Sequence, residues 1–216
     1  MKNKTMQKRT NISRGKNRGV EDISEIYKIL DEGLICHIAF IRNGYPVVLP
    51  TNYARHKNQI IVHGGNESPF YQALAAANDI CLTVTLLDGL VLGKSAYNHS
   101  VNYRSVVIFG KAKQILDNNE KIENLKVLID HVVKNRWESV RTPAEKELNA
   151  TMVLSIPIQE YSAKMRTGKP NVIASDETYP VWSGVLPLET RPGIPEADEF
   201  SQNLTADYFI ENYSRK

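Results

Sequence analysis

Leu34-Ile35-Cys36-His37-Ile38-Ala39-Phe40-Ile41, then Arg42-Asn43-Gly44, then Tyr45-Pro46-Val47-Val48-Leu49-Pro50-Thr51-Asn52-Tyr53-Ala54: this stretch decides the fold. Two short apolar runs are joined through Asn-Gly, the strongest short-range hairpin signal. His56-Lys57-Asn58 makes a second polar turn, and Gln59–His63 reads as a third strand. Further along, Ile80–Leu87 and Leu90–Ser95 read as strands, and Val101–Leu116 contains a long one. Met152–Ile158 is another, whose Pro157 marks an edge or a bulge. Six or so short strands linked by hairpins, with few helices, predict a mainly β, α+β fold built on a small closed or partly closed barrel. Closure hides strand edges that would otherwise pair with other chains.

The helices flank this frame. Ile23, Ile26, Ile29 and Leu30 have helical spacing within 21–32, and Gly33 is placed to end that helix. Ser68-Pro69 is a good start for a helix over Phe70–Ala77. Asp117 and Glu120 have capping-box spacing. The stripe Ile122, Leu125, Leu128, Ile129, Val132, Val133 then predicts a helix ending near Arg136. Thr142, Pro143 and Glu145 begin a shorter one.

Three segments follow: a basic arm over 1–19, a barrel domain over 20–170, and a Pro-, Gly- and acid-rich extension over 171–216 that packs on the barrel or a partner. The arm holds Lys2, Lys4, Lys8, Arg9, Arg14, Lys16 and Arg18 and no acid. Like charges repel, so it is expected to stay open and solvated. The whole chain of 216 residues carries only +3, so no nucleic-acid partner is expected. No apolar run reaches the ~20 residues of a membrane helix, and no signal-peptide h-region stands out; a cytoplasmic protein is expected. Cys36 and Cys81 lie in apolar runs as buried thiols. With five scattered histidines and no H-E-x-x-H or C-x-x-C, no metal site is expected.

Four constellations could carry chemistry. Leu49-Pro50-Thr51-Asn52-Tyr53 interrupts a strand ladder, as an edge kink or as a strand facing a planar ligand. His63-Gly64-Gly65-Asn66-Glu67-Ser68-Pro69 runs from strand to helix N-terminus, either a plain loop or an anion cradle of amides and a hydroxyl. Asn98-His99-Ser100-Val101-Asn102-Tyr103-Arg104-Ser105 is rich in hydrogen-bonding groups, and Arg104 offers a forked set of donors. Lys164 and Arg166, one residue apart on a strand, share a face, with Trp182 nearby in the chain.

These segments, with Leu30–His37, Val84–Leu92, Tyr161–Gly168 and Pro180–Leu188, closely resemble the pyridoxamine 5′-phosphate oxidase-related superfamily, in its nitroimidazole-resistance-like branch. The resemblance covers about residues 14–190. It implies a six-stranded split barrel, a homodimer, and FMN bound at the subunit interface. It places the cofactor phosphate near Thr51, Asn52, His63, Gly64 and Ser68. It matches Arg104-Ser105 to an Arg-Gln pair whose Gln contacts the flavin. The helix start reads Ser68-Pro69 where relatives often have Ser-Arg, so Arg104, Lys94 or Lys164 would supply the missing cation. Leu49, Pro50, Tyr103, Arg166 and Trp182 complete the expected cofactor-binding set.

The resemblance implies a flavin-dependent oxidoreductase acting on a small planar acceptor, with Tyr103, His63 and His99 toward the substrate. A non-catalytic FMN carrier or sensor, and a haem-binding split barrel, stand beside it. No catalytic residue is assigned.

Overall fold

The computed structural model describes residues 9–77 and 79–214. The bases at Lys2, Lys4 and Lys8 lie outside the described residues.

The Asn-Gly turn forms as the sequence requires. Asn43 and Gly44 have φ of 51° and 81°, the left-handed pair of a type I′ hairpin. It joins β1 (Ile35–Arg42) to β2 (Tyr45–Asn52), paired from Arg42↔Tyr45 to Ile35↔Asn52. The predicted second strand does not continue to Ala54 in the same sheet. At Tyr53 the chain leaves the first sheet, and β3 (Ala54–His56) pairs instead with β4 (Gln59–Gly65). Tyr53 is fully buried, and its hydroxyl donates to the Leu30 carbonyl at 2.7 Å. That bond fixes the crossing point.

The remaining strands are β5 (Ile80–Leu92), β6 (Ser100–Gly110), β7 (Lys113–Ile115), β8 (Thr151–Pro157), β9 (Glu160–Arg166) and β10 (Gly184–Pro187). Sheet A has the order β2-β1-β5-β6-β9, with β10 added to the far half of β5. Sheet B has the order β3-β4-β8-β7. The two open sheets form the split barrel. Asp88-Gly89, read as a break between two strands, is a bulge inside one long β5; the extra residue is absorbed without ending the ladder. The predicted single strand over Val101–Leu116 is two, because the chain changes sheets between Gly110 and Lys113. Pro46 and Pro50 are tolerated because β2 is an edge strand.

The helices are α1 (Ile23–Glu32), α2 (Pro69–Ala76), α3 (Asn118–Val132), α4 (Glu145–Ala150) and α5 (Tyr208–Glu211). Asp22 caps α1, accepting from the Ser24 amide at 2.8 Å, and Asp117 caps α3, accepting from the Glu120 amide at 2.9 Å. The third helix stops short of Arg136: Asn135 takes a left-handed φ of 62° and a 3-10 turn follows. The main core fills the barrel, where Ile38, Leu82, Val84, Val106, Ile108, Val62 and Leu154 meet Ile26, Ile29 and Leu30 of α1. Burying each such side chain is worth about 1.5–3 kcal/mol. A second core lies outside sheet B, where Ile61, Ile115 and Val153 pack against Leu125 and Leu128 of α3 and Leu148 of α4.

The arm does not stay open over its described part. It lies along β9: the Val20 amide donates to the Ala163 carbonyl at 3.0 Å, and Lys164 Nζ donates to the Arg14 carbonyl at 3.0 Å. Arg9 pairs with Asp79 and, at 2.6 Å, with Glu160, and it sits over the Phe109 ring. Two carboxylates and an aromatic face offset the like-charge repulsion. Among the described residues no helix is long and apolar enough to cross a membrane.

The two cysteines differ. Cys36 is buried, and burial pushes its thiol up to about 12; Cys81 is only half-buried and less strongly raised. The thiolate is the reactive form. At pH 8 a maleimide should label Cys81 and leave Cys36 unmodified until the protein unfolds, which mass spectrometry of the peptides reads directly. Equal labelling of both would place Cys36 outside the barrel core.

Candidate functional site

Side chains alternate along a strand, and residues paired across a sheet share a face. This sorts the predicted site residues. Leu49 and Thr51 pair with Ile38 and Cys36, both buried, so they face the barrel core. Arg104 shares that face with Val106 and Ile108, at its open end. Pro50 and Asn52 point the other way, as do Tyr103 and Ser105. Ser105 pairs with Lys164, and Tyr103 with Arg166. One outward face of sheet A therefore collects Pro50, Asn52, Tyr103, Ser105, Lys164 and Arg166, from three constellations distant in sequence.

That outward face is apolar where solvent would be expected. Ile35 is 49% exposed, Val48 58% and Leu87 51%. Between them lie Thr83, Thr85 and Ser105, whose hydroxyls can donate or accept. The two cations stand at the β9 margin. Lys164 holds the Arg14 carbonyl, and Arg166 donates to Asn102 Oδ1. Each uses one donor there, of three for lysine and five for arginine. Arm and β9 also enclose about 480 Å³ beside Ser162. A flat, apolar surface with hydroxyls across it and cations at one margin suits a planar ring system carrying phosphate.

Arg104 is engaged elsewhere. Its guanidinium donates to Glu32 at 2.8 Å and to Asp88 at 2.6 and 3.0 Å, tying the end of α1 to the β5 bulge. Both carboxylates raise its pKa further. The sequence reading placed Arg104 against a phosphate; the geometry makes it a tie between elements. Arg104→Ala should lower stability by about 1–3 kcal/mol, since two half-buried carboxylates lose their shared cation, and should leave anion affinity within about threefold. Denaturant unfolding and a ligand titration check this together. A large affinity loss without destabilisation would restore the phosphate assignment.

The second cluster lies at the seam between the sheets. The β3–β4 ladder ends at Ala54↔Ile61, and just beyond it stand Asn52 on one side and His63 on the other. Thr51 Oγ1 meets the Tyr71 hydroxyl at 2.8 Å, and the Tyr71 ring lies against Gly64. Gly64 is thus covered by a side chain from α2 rather than open to a ligand. Ser68 occupies the helix N-cap position, with Pro69 at the first helical position, but its hydroxyl makes no capping bond. Trp182 lies 65% exposed at the entry to β10, folded over Gly184.

His63 stands apart from the other histidines. Its Nδ1 is buried without a hydrogen-bond partner. Burial lowers its pKa and so favours the neutral ring. By contrast, His56 Nδ1 faces Asn124 Oδ1 at 3.0 Å, His99 Nδ1 faces the Ser95 carbonyl at 3.0 Å, and His131 Nε2 donates to the Gly33 carbonyl at 2.7 Å. His37 is exposed on the outward face of β1. In the loop after His63, Asn66 Oδ1 is also buried and unpartnered, although its amide nitrogen donates to the Asn149 carbonyl. Tyr71, Glu32 and Asp88, which the sequence reading did not single out, hold predicted residues in place, as does Asn102 of the third constellation.

The family model for pyridoxamine 5′-phosphate oxidase matches residues 22–165. The chain belongs to the pyridoxamine 5′-phosphate oxidase family. Two solved members of similar architecture narrow the neighbourhood. The flavocytochrome Anf3 from Azotobacter vinelandii is 36% identical, with 94% of each chain covered and a TM-score of 0.87. The FAD- and haem-binding protein from Mycobacterium smegmatis is 31% identical, covering 84% of this chain and 89% of its own, with a TM-score of 0.81. A Bacteroides thetaiotaomicron protein described as a 5-nitroimidazole antibiotic resistance protein shares the fold at 23% identity and a TM-score of 0.59, over 68% of this chain and 85% of its own. No curated protein matches the chain.

Proposed function

We propose that this member of the pyridoxamine 5′-phosphate oxidase family is a homodimeric redox protein that binds both a flavin and a haem. The observation that carries the reading is His63: a neutral imidazole with a buried, unpartnered Nδ1, in a chain 36% identical to a flavocytochrome and 31% identical to an FAD- and haem-binding protein. A neutral imidazole nitrogen is an ordinary donor to haem iron, and His63 would be the residue that holds it. Of the three readings left open by the sequence, flavoenzyme and haem-binding barrel are joined here. FAD replaces the FMN that the resemblance implied, following the Mycobacterium relative.

The flavin belongs on the outward face of sheet A. Ile35, Val48 and Leu87 offer the apolar surface, Thr85 and Ser105 the hydrogen bonds, and Lys164 and Arg166 the charge for phosphate. A bound flavin exchanges electrons in pairs or singly, and a haem iron takes them singly. The protein's part is to hold the two groups and exclude water from them. No side chain of the site needs to act as a strong acid or base. The small-molecule acceptor is a planar compound that can stack against the flavin face.

The experiment is a titration of FAD and riboflavin against wild type and Lys164→Ala/Arg166→Ala, followed by flavin fluorescence. Each charge-assisted hydrogen bond is worth about 1.5–3 kcal/mol. FAD should therefore weaken about ten- to a hundredfold per lost contact, and riboflavin, which lacks phosphate, should change little. Equal weakening of both ligands would move the phosphate off the β9 margin.

A further inference from the structure

The arm is tied to β9 at several points. Arg9 holds it at Glu160, the Arg14 carbonyl and Gly19 hold it at Lys164, and the Val20 amide holds it at Ala163. Between these ties arm and strand enclose an open cavity of about 480 Å³. That volume falls within the usual range for small-molecule sites.

The lining is polar and uncommitted. Thr10, Asn11, Lys16, Glu21 and Ser162 all border the cavity, and Ile12 gives it an apolar wall. Among the described residues, none of those five polar side chains makes a hydrogen bond or ion pair. Elsewhere the same arm spends its groups: Arg9 on two carboxylates, the Val20 amide on β9. One cavity thus gathers an amide, a carboxylate, an ammonium and two hydroxyls, all free to receive a ligand.

That mixture selects a chemistry. A bare phosphate would meet Glu21 as a like charge, and an apolar molecule would leave the polar groups without partners. A primary amide can pair with the amino group and ring nitrogen of adenine together. A carboxylate accepts from ribose hydroxyls, and an ammonium binds phosphate. Adenine, ribose and phosphate joined in one molecule satisfy Asn11, Glu21 and Lys16 at once. Position agrees with composition. Lys164, at the β9 margin of the outward face, also holds the Arg14 carbonyl in the cavity wall. A ligand with its ring on that face and its phosphates at the margin would next reach this cavity.

We propose that the cavity between the arm and β9 holds the adenosine end of FAD, with Asn11 toward the adenine, Glu21 toward the ribose and Lys16 toward the second phosphate. This rests on the flavin reading for the outward face and deepens it: the arm is what makes the site prefer FAD to FMN.

The test is calorimetric titration of FAD, FMN and ADP into full-length wild type and Asn11→Ala/Glu21→Ala. Both residues are exposed, so the double variant should fold, which an unchanged melting curve checks. Wild type should bind FAD at least about tenfold more tightly than FMN, and should bind ADP alone. In the variant FAD and ADP should each weaken at least about tenfold, while FMN stays within about threefold. Equal affinity of wild type for FAD and FMN, or equal weakening of both in the variant, would overturn the adenosine pocket and leave the flavin reading standing. A wild type that binds neither flavin would sink the flavin reading, and ADP alone then decides the pocket. ADP bound by wild type and lost in the variant supports it, and ADP not bound overturns it.

Discussion

Gly64→Ala should destabilise the protein by about 3 kcal/mol or more, the upper range for forcing atoms into a packed core. A Cβ built on Gly64 would lie 1.9 Å from Cε2, 2.2 Å from Cδ2 and 2.6 Å from Cζ of Tyr71. The ring has little room to yield. Its hydroxyl is bonded to Thr51 at 2.8 Å, its ring centroid is 4.8 Å from that of Phe70, and the side chain is buried in the barrel core. Relief would require moving α2 or opening the seam between the sheets. For a chain of this length the melting temperature should fall by about 6–12 °C. Gly65→Ala is the control: its added Cβ meets nothing within 4 Å, and it should melt close to wild type. If the two variants melt together, Tyr71 does not lie on Gly64, and the seam is built differently.

His63→Ala should abolish haem binding while leaving flavin binding and stability nearly unchanged. Nδ1 makes no hydrogen bond within the chain. Truncating the ring therefore loses no bond at Nδ1, and removing an unsatisfied buried group can be nearly neutral. A change of no more than about 1 kcal/mol in unfolding free energy is expected, the usual range away from critical packing. His131→Ala supplies the contrast. It loses the bond to the Gly33 carbonyl at the end of α1, so it should destabilise yet keep haem. Haem retained by His63→Ala and lost by His131→Ala would exchange the two assignments.

Local chemistry made much of this fold readable. Asn43-Gly44 needs two left-handed residues and has them, and Asp117 caps the helix that its position announces. What escaped was decided by neighbours distant in the chain. Tyr53 changes sheets because its hydroxyl finds Leu30, and nothing in Asn52-Tyr53-Ala54 says so. The arm reads as a solvated charge run because Asp79, Phe109 and Glu160, which receive Arg9, are many residues away.

The site shows the same division. Lys164 and Arg166 share a face by strand period alone, and the register then adds Ser105 and Tyr103 to it. Arg104 looked like a phosphate ligand because a forked cation between polar residues has no visible partner in sequence. Its partners, Glu32 and Asp88, come from α1 and the β5 bulge. His63 was one of five scattered histidines until burial separated it from those with hydrogen-bond partners.

The central claim is that one chain binds a flavin on the outward face of sheet A and a haem through His63. The most direct measurement is the absorbance spectrum of wild type and His63→Ala, each incubated with haem and FAD and freed of unbound cofactor by gel filtration. The account predicts flavin bands in both proteins and a Soret band in wild type alone. A Soret band of equal strength in both proteins, or a wild type with no Soret band, would contradict it.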